Sequence, residues 1–368
     1  MNLTSKLLQP LNLKGVQLVN RAWVAPMLQY SARYGDGMPT DWHLVHYGAF
    51  AQGGFAMIIT EPTAISPTAR VTSADVGFWS KLQVAPWKRI TDFVHSVRLP
   101  LDDRSAPVRI GLQLNHSGRK GAAASPLGSN PHNNIVTVPW PTVAPTALAF
   151  PGMPTPEALT PNGIARIVAD FGTSARRATL AGFDCIEINA ADGYLLHQFL
   201  SPLSNKRSDN YGGVYSNRVR LLLEVITAVR ISWHGPLLVR IPGSDCAIGG
   251  WTPADAVSLA VLLRTTDVDL VSVTAGGNTL GGMPNTPGHI LQIAAQLRQF
   301  SAVPVVAEDG ITEPATAEHA LQSGAVDAVL LNKQAIREPH WPLRAATVLG
   351  ATRDNAPYPQ QYLSSAWK

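Results

Sequence analysis

Cysteine is scarce in this chain, with two residues among 368, and neither belongs to a Cys-x-x-Cys pair. Cys185 and Cys246 both lie in or just after short apolar runs. This spacing excludes an iron–sulfur cluster held by thiolates and excludes a zinc finger. It also favours a reducing compartment, because two such cysteines give no disulfide framework.

Concentrated charge and long apolar runs are missing as well. The formal net charge is +4 and the 29 Lys and Arg residues form no basic run, so the chain shows no electrostatic footprint for nucleic acid or a membrane surface. No stretch approaches the roughly 18 apolar residues that a membrane span needs, and residues 1–6 lack the pattern of a secretory signal. We therefore expect a cytoplasmic protein that acts on a small molecule, and a homo-oligomer stays open.

The chain does contain a large apolar fraction, 45% of its residues, distributed in short runs. Eight runs have the length of buried strands and alternate with segments of helical periodicity, which predicts an α/β fold. No G-x-G-x-x-G motif follows an early strand, so we predict a single-domain (β/α)8 TIM barrel over residues 1–368 rather than an open doubly wound sheet. The predicted strands are Ala22–Pro26, Phe55–Thr60, Val108–Gln113, a run ending at Asn189, Pro236–Arg240, Val268–Val273, Val303–Ala307 and Val326–Leu331. The predicted helices include Thr160–Leu180, Ser216–Ser232, Pro253–Arg264, Pro287–Phe300 and Pro314–Gln322.

Two segments do not fit this repeat. Residues 121–160, after the third strand, are rich in Pro, Ala, Ser and Asn, and they are too long for an ordinary connection. We expect them to form an inserted lid over the barrel mouth. Residues 353–368 are expected to form a C-terminal tail that packs on a neighbouring chain or on its own barrel.

Polar residues follow the strands, at the end of the barrel where active sites are built. Asn189, Asp192 and Tyr194 come as the fourth strand ends. Gln113 and Arg240 end the third and fifth strands, and both supply fixed donors that suit an electron-rich planar heterocycle.

A second set of residues is typical of a barrel phosphate site. Such a site uses glycine turns after strands six and seven and a cation after strand eight. The corresponding residues are Gly276, Gly310 and Lys333.

Structural roles are open alternatives for all of these side chains. Tyr194 is also consistent with a packed aromatic, and Asn189 and Asp192 are also consistent with local capping of the chain. Gln113 and Arg240 are also consistent with a donor pair that only stabilises the barrel.

Longer motifs run through nearly the whole chain. They are Ala25-Pro-Met27 with Tyr30, His43-x-x-His46-Tyr47, the motif at 111–120, the motif at 181–188, and the long motif at 193–213 followed by Asn217-Arg218. Together they resemble the Old Yellow Enzyme family of FMN-dependent ene-reductases, in its short bacterial or fungal branch.

The resemblance implies a flavin on the barrel mouth. Ala25, Pro26 and Met27 would lie along its ring, and Gln113 and Arg240 would lie at its pyrimidine edge. NADPH or NADH would reduce the FMN, which would then give a hydride to the activated double bond of a small unsaturated substrate.

The same resemblance implies roles around the substrate. Tyr194 matches the tyrosine that delivers a proton, and a phenol is protonated at neutral pH. Tyr30, Asn189 and Asp192 are the predicted substrate-contacting residues.

Two places depart from the family. The family normally has a pair of His residues, or His and Asn, where this chain has Asn189 and Asp192, and an ionised Asp would repel the enolate that builds up during reduction. Burial that keeps Asp192 protonated, or a substrate that offers it a donor or a cation, would remove this repulsion. Relatives end strand eight with Gly-Arg, whereas this chain has Asn332-Lys333, with the acidic pair Glu308-Asp309 after strand seven. The affinity for FMN is therefore left open.

These departures indicate a specialised unsaturated carbonyl-like substrate, of the kind that secondary metabolism supplies. Two hypotheses from other classes stay open. The first is a redox-neutral isomerase, cyclase or lyase in which Asp192 acts as a general base and the flavin is passive or lost. The second is an inactive binding or scaffold protein.

Overall fold

The computed structural model describes residues 5–101, 104–127, 140–280, 288–308 and 310–367. Eight short parallel strands form its centre, and each lies where an apolar run predicts it. They are β1 (Ala22–Val24), β2 (Met57–Ile59), β3 (Arg109–Asn115), β4 (Cys185–Asn189), β5 (Leu237–Pro242), β6 (Leu270–Thr274), β7 (Val305–Ala307) and β8 (Ala328–Leu331). Nearly every residue of these strands is buried, as in parallel sheets that helices cover.

The strands pair in chain order and the sheet closes on itself. β4 pairs with β5 on one side and with β3 on the other, and β8 pairs with β1. Gly111 on β3 lies so close to its neighbour that a Cβ there would lie 2.3 Å from the Sγ of Cys185 on β4. The predicted (β/α)8 barrel is confirmed.

The helices cover the outside of the barrel, and several begin at the predicted residues. They are Asp41–Gln52, Val84–Ser96, Pro161–Ala181, Leu195–Leu200, Tyr215–Arg218, Arg220–Ser232, Pro253–Leu263, His289–Ser301, Pro314–Gln322, Lys333–Arg337 and Trp341–Val348.

Local sequence explains where the longest helix begins and ends. Thr160 accepts a hydrogen bond from the amide of Gly163, Pro161 takes the first turn, and Gly182 ends the helix with a positive φ. The single helix predicted over Ser216–Ser232 is wrong in one respect, because Val219 separates two helices there.

Short strands lie outside the barrel. Leu11–Leu13 pairs with Val16–Leu18, and Arg98–Leu101 pairs with Arg104–Pro107, both antiparallel. Thr63–Ala64 adds to β3, and Val143–Ala144 pairs with Glu157–Ala158. Four 3-10 turns complete the described elements, at Pro67–Ala69, Lys81–Gln83, Gly118–Lys120 and Gln360–Ser365.

The C-terminal tail packs on its own chain. Ala356 and Tyr358 are buried against Leu343 and Ala346 of the last helix, and against Leu8 near the N-terminus. Across the described part of the chain, no helix combines the length and apolar character that crossing a membrane requires.

Candidate active site

The turn after β4 carries three of the predicted site residues. Asn189 ends the strand, Asp192 has a positive φ of 59°, and Tyr194 precedes the helix Leu195–Leu200. His197 in that helix accepts a hydrogen bond from the amide of Gly193, at 3.0 Å from Nδ1. The helix that follows the turn therefore fixes the backbone of the turn.

His197 is itself fixed by a buried carboxylate. Its Nε2 lies 2.8 Å from Oδ1 of Asp245, which follows β5. Asp245 also accepts from Ser201 and from the amide of Trp251. Burial opposes ionisation, but the contacts with His197 and Ser201 outweigh it and lower the pKa of Asp245. This network ties the turn after β4 to the loop after β5.

Arg240 on β5 lies at the centre of the mouth and contacts two carboxylates. Its Nε lies 3.3 Å from Oδ2 of Asp192, and its Nη2 lies 2.5 Å from Oε2 of Glu308. Nη1 lies 3.4 Å from Oγ of Ser272. Burial lowers the pKa of the Arg240 guanidinium, but Asp192, Glu308 and Glu187 outweigh it and raise this pKa above its ordinary value. Arg240 is therefore always positively charged, and the neighbouring carboxylates offset this charge.

Gln113 on β3 joins the same network through its amide. Its Nε2 donates to Oε1 of Glu187 at 2.7 Å, and its Oε1 accepts from Nδ2 of Asn189 at 3.2 Å. Nδ2 of Asn189 also lies 3.4 Å from Oδ2 of Asp192. Burial raises the pKa of the Glu187 carboxyl group above its ordinary value. The structure thus brings Gln113, Asn189, Asp192 and Arg240 into one connected cluster.

Tyr194 lies beside this cluster and beneath a lysine. The ammonium of Lys120 is 5.1 Å from the centre of the Tyr194 ring, and it donates to the carbonyl oxygens of Asp192 and Gly277. Burial raises the pKa of the Tyr194 phenol well above its ordinary value, and the charge of Asp192 adds to this effect. The phenol is therefore protonated at neutral pH.

The predicted ring-contacting residues follow β1. Ala25 is buried and donates its amide to the carbonyl of Leu331, whereas Pro26 and Met27 are half-buried. Tyr30 is also half-buried, with a φ of 51°, and burial raises the pKa of its phenol. These residues give the mouth an apolar edge opposite Arg240.

The predicted phosphate-site residues are less closely grouped. Gly276 directs its amide to the carbonyl of Ser244 at 2.9 Å, and Lys333 directs its amide to the side chain of Asn332. Lys333 itself is exposed. Gly310 has a φ of 63°, and a Cβ built there would meet nothing within 4 Å. Asp309 lies outside the described residues.

Three residues of this arrangement are not predicted in their roles from the sequence. Glu187 is a carboxylate within an apolar strand, which is the one signal of a buried polar partner that the sequence offers. Glu308 is predicted near the phosphate but not against Arg240. Lys120 is visible only as part of the motif at 111–120.

The donors at the mouth fit a flavin ring. An amide side chain carries two N–H groups and a guanidinium five. Within the described residues, the contacts above leave one N–H of Gln113 and two of Arg240 for a ligand. With Pro26 and Met27 as apolar surface, these donors suit the edge of an electron-rich planar heterocycle.

Comparison with known proteins also indicates a flavin enzyme. The family model described as the NADH:flavin oxidoreductase / NADH oxidase family matches residues 6–351. An NADPH dehydrogenase of Listeria innocua is 37% identical over 365 residues, which is 99% of this chain and 100% of that protein. An NADPH dehydrogenase of Halalkalibacterium halodurans is 34% identical, covering 98% of this chain and 99% of that one.

Solved structures agree in fold along the full length. Morphinone reductase in complex with tetrahydroNAD has a TM-score of 0.76 at 27% identity, covering 98% of this chain and 97% of that one. The Old Yellow Enzyme homologue of Zymomonas mobilis has a TM-score of 0.75 at 26% identity, covering 99% of both chains. The chain therefore belongs to the NADH:flavin oxidoreductase / NADH oxidase family, of the Old Yellow Enzyme type, and it is an FMN-dependent oxidoreductase that takes NADPH or NADH as its reductant.

Proposed function

We propose that this enzyme reduces the activated carbon–carbon double bond of a small unsaturated substrate and that Tyr194 donates the proton. When bound, FMN supplies the hydride for the β-carbon, after NADPH or NADH has reduced it. The proton of Tyr194 goes to the α-carbon, so the product has gained two hydrogens across the former double bond. The observation that carries this proposal is the buried, protonated Tyr194 phenol beside Asp192 and Lys120.

Lys120 offsets the negative charge that proton transfer leaves on Tyr194. After proton transfer the phenolate is the unstable form, because burial and Asp192 both disfavour it. The ammonium of Lys120 lies over the ring and stabilises the developing negative charge. Burial lowers the pKa of this ammonium.

Asp192 is compatible with an electron-rich product because its charge is matched. Its Oδ2 contacts Arg240 and Asn189, so the repulsion that an isolated carboxylate would exert on an enolate is reduced. Its side chain is 33% exposed, which leaves it within reach of a ligand. A substrate with a hydrogen-bond donor near its reacting carbonyl fits this site better than a plain enone.

Asn189 contributes by positioning Asp192. Both contacts of its Nδ2 are to side chains of the cluster, Gln113 and Asp192. The direct substrate contact predicted for Asn189 requires one of these contacts to be given up. Tyr30, half-buried at the end of β1, supplies the opposite wall.

Residues 121–160 are the proposed lid, and contacts of residues 140–160 support this role. Phe150 lies 5.1 Å from the ammonium of Lys120, which itself contacts the Tyr194 ring. Arg119 donates to the carbonyls of Leu148 and Ala149. Residues 128–139 lie outside the described residues. Phe150 thus contacts the lysine that lies against the proposed proton donor.

Arg207 holds the same insert at two further points. It donates to the carbonyls of Pro145 and Leu159 at 2.9 and 2.6 Å, while Asp209 fixes the guanidinium from the other side. The insert is therefore bound to the loop that follows β4.

The test separates the two half-reactions. The enzyme is reduced with NADPH under nitrogen, and the loss of the visible flavin absorbance is followed. Unsaturated ketones, aldehydes and nitroalkenes are then added, with and without a hydroxyl or amino group near the carbonyl. We expect reoxidation of the flavin together with a product two mass units heavier. If oxygen reoxidises the flavin and none of the alkenes does, alkene reduction is not the function of this enzyme.

A second candidate function follows from the partly exposed carboxylate of Asp192. As a general base it would move a proton from the α-carbon of a carbonyl compound, giving an isomer of unchanged mass. This reaction needs no reductant. An isomer that forms without NADPH, and that Asp192→Asn abolishes, would favour it over reduction.

A further inference from the structure

Glu308 lies across the end of the mouth where barrel enzymes bind phosphate. It directly follows β7, and its Oε2 lies 2.5 Å from Nη2 of Arg240. Its Oε1 accepts a hydrogen bond from Nδ2 of Asn332, which follows β8. One carboxylate therefore spans β5, β7 and β8, and only 16% of its side chain is exposed.

Phosphate sites in such barrels are formed by the loops after strands seven and eight, through backbone amides and a cation. Here two of the candidate amides are already engaged, Gly276 by Ser244 and Lys333 by Asn332. The cation Lys333 is exposed, and the residue before it, Asn332, contacts the carboxylate of Glu308. Two of the three candidate amides are therefore occupied, and a carboxylate contacts the first residue after β8.

We infer that the carboxylate of Glu308 repels the phosphate group of FMN and so sets the affinity for this cofactor. The phosphate then adds far less to the binding of the flavin than it would if this carboxylate were absent. The inference depends on the FMN dependence of the family and not on alkene reduction. Its physical basis is charge: one guanidinium, Arg240, is shared by the carboxylates of Asp192 and Glu308, so a net negative charge remains, and this charge repels a phosphate dianion in a partly buried site.

The ring end of the site gives the internal comparison. Gln113 and Arg240 are the proposed contacts of the flavin ring, the part of the cofactor that riboflavin and FMN share, so a substitution that acts there should alter the binding of both ligands alike. A change that acts on the phosphate alters FMN alone. Riboflavin is therefore the matched control ligand.

The experiment is a fluorescence titration of the full-length protein, purified without added flavin, with FMN and with riboflavin. Glu308→Gln keeps the shape of the side chain and removes the charge. Its amide oxygen can still accept a hydrogen bond from Arg240, and its NH2 group then faces Asn332, whose side-chain amide must turn to offer its oxygen. We expect its Kd for FMN to fall on the order of tenfold or more, while its Kd for riboflavin changes by about threefold at most.

Asp267→Asn is the control variant. Asp267 precedes β6, at the opposite end of the barrel, and its carboxylate is 70% exposed. The Asp267→Asn variant loses the same charge at a place remote from the mouth, so we expect the Kd for FMN and the Kd for riboflavin to stay unchanged. Circular dichroism verifies that each variant is folded, and Glu308→Ala serves as a second variant if the Gln variant is not.

Three results would overturn the inference. They are an unchanged or weaker affinity of a folded Glu308 variant for FMN, an equal gain for riboflavin and FMN, or no FMN binding by any folded variant. The titration contains no alkene and no NADPH. A failure of alkene reduction in the separate half-reaction assay would therefore leave its outcome untouched.

Discussion

The two ends of the barrel mouth are built on different plans. Over β3, β4 and β5 the side chains form one connected cluster, in which Gln113, Asn189, Asp192 and Arg240 each contact a neighbour. Over β7 and β8, in the part of the chain that the structure describes, the carboxylate of Glu308 contacts Arg240 and Asn332, and a Cβ at Gly310 would meet nothing within 4 Å. We propose that the first end carries the chemistry and that the second end sets how firmly the cofactor is held.

Removal of Arg240 tests this comparison most severely, because both ends depend on it. Arg240→Met leaves Asp192, Glu308 and Glu187 without their shared cation, and we expect the free energy of unfolding to fall by about 3–5 kcal/mol. We also expect FMN binding to be lost. Urea denaturation and flavin titration measure the two effects. Arg89→Met, at an exposed ion pair with Asp41, should cost less than about 1 kcal/mol. Equal effects of the two substitutions would contradict the central role of Arg240.

Tyr194→Phe tests the chemistry of the first end alone. Without the phenolic proton, we expect the rate of flavin reoxidation by the alkene to fall about a hundredfold or more. The rate of flavin reduction by NADPH should be unchanged, because the ring remains in place. Stopped-flow absorbance measures both half-reactions. A variant that is equally slow in both would indicate a packing role instead.

A pair of glycine substitutions compares the close packing of the two ends. A Cβ at Gly277 would lie 2.6 Å from the backbone of Asp192, and its φ is 90°. We expect Gly277→Ala to lower the free energy of unfolding by about 2–3 kcal/mol and to slow turnover. Gly310→Ala also places a Cβ at a positive φ, 63°, but this Cβ would meet nothing within 4 Å, so the substitution should cost only about 1 kcal/mol. Thermal unfolding of both variants decides, and similar losses would contradict the comparison.

The pH dependence of stability is the test with the smallest expected effect. Burial lowers the pKa of His116, at the end of β3, from 6.5 to about 4. The folded state therefore binds fewer protons than the unfolded state between these values, and this contribution to stability is lost as pH falls from 6.5 towards 4. His116→Gln should reduce this loss by on the order of 1–2 kcal/mol, measured by denaturation at several pH values. A parallel dependence in both proteins would show that His116 does not cause it.

Much of the fold could be predicted because it depends on local sequence. The apolar runs indicate all eight strands, and Thr160, Pro161 and Gly182 indicate the bounds of the longest helix. The break at Val219 could not be predicted, because no Gly or Pro interrupts residues 215–232.

The candidate site could be predicted where its residues lie along one stretch of chain, or near the ends of the strands that flank it, as Gln113 and Arg240 do. Asn189, Asp192 and Tyr194 are neighbours in sequence, so their proximity follows from the turn. The contact of Glu308 with Arg240 joins β7 to β5 across the intervening β6. Such a contact depends on how two side chains are directed over the mouth, which apolar periodicity does not encode.

The two arginines that hold residues 140–160 bind main-chain carbonyls. Arg119 donates to those of Leu148 and Ala149, and Arg207 to those of Pro145 and Leu159. A carbonyl is the same whatever side chain accompanies it, so these four contacts do not depend on the side chains of the residues that accept them. Thr142, Ala144 and Leu159 are buried, so the path of the segment also depends on their packing. Substitution of the exposed Leu148 should therefore leave the contacts of both arginines in place.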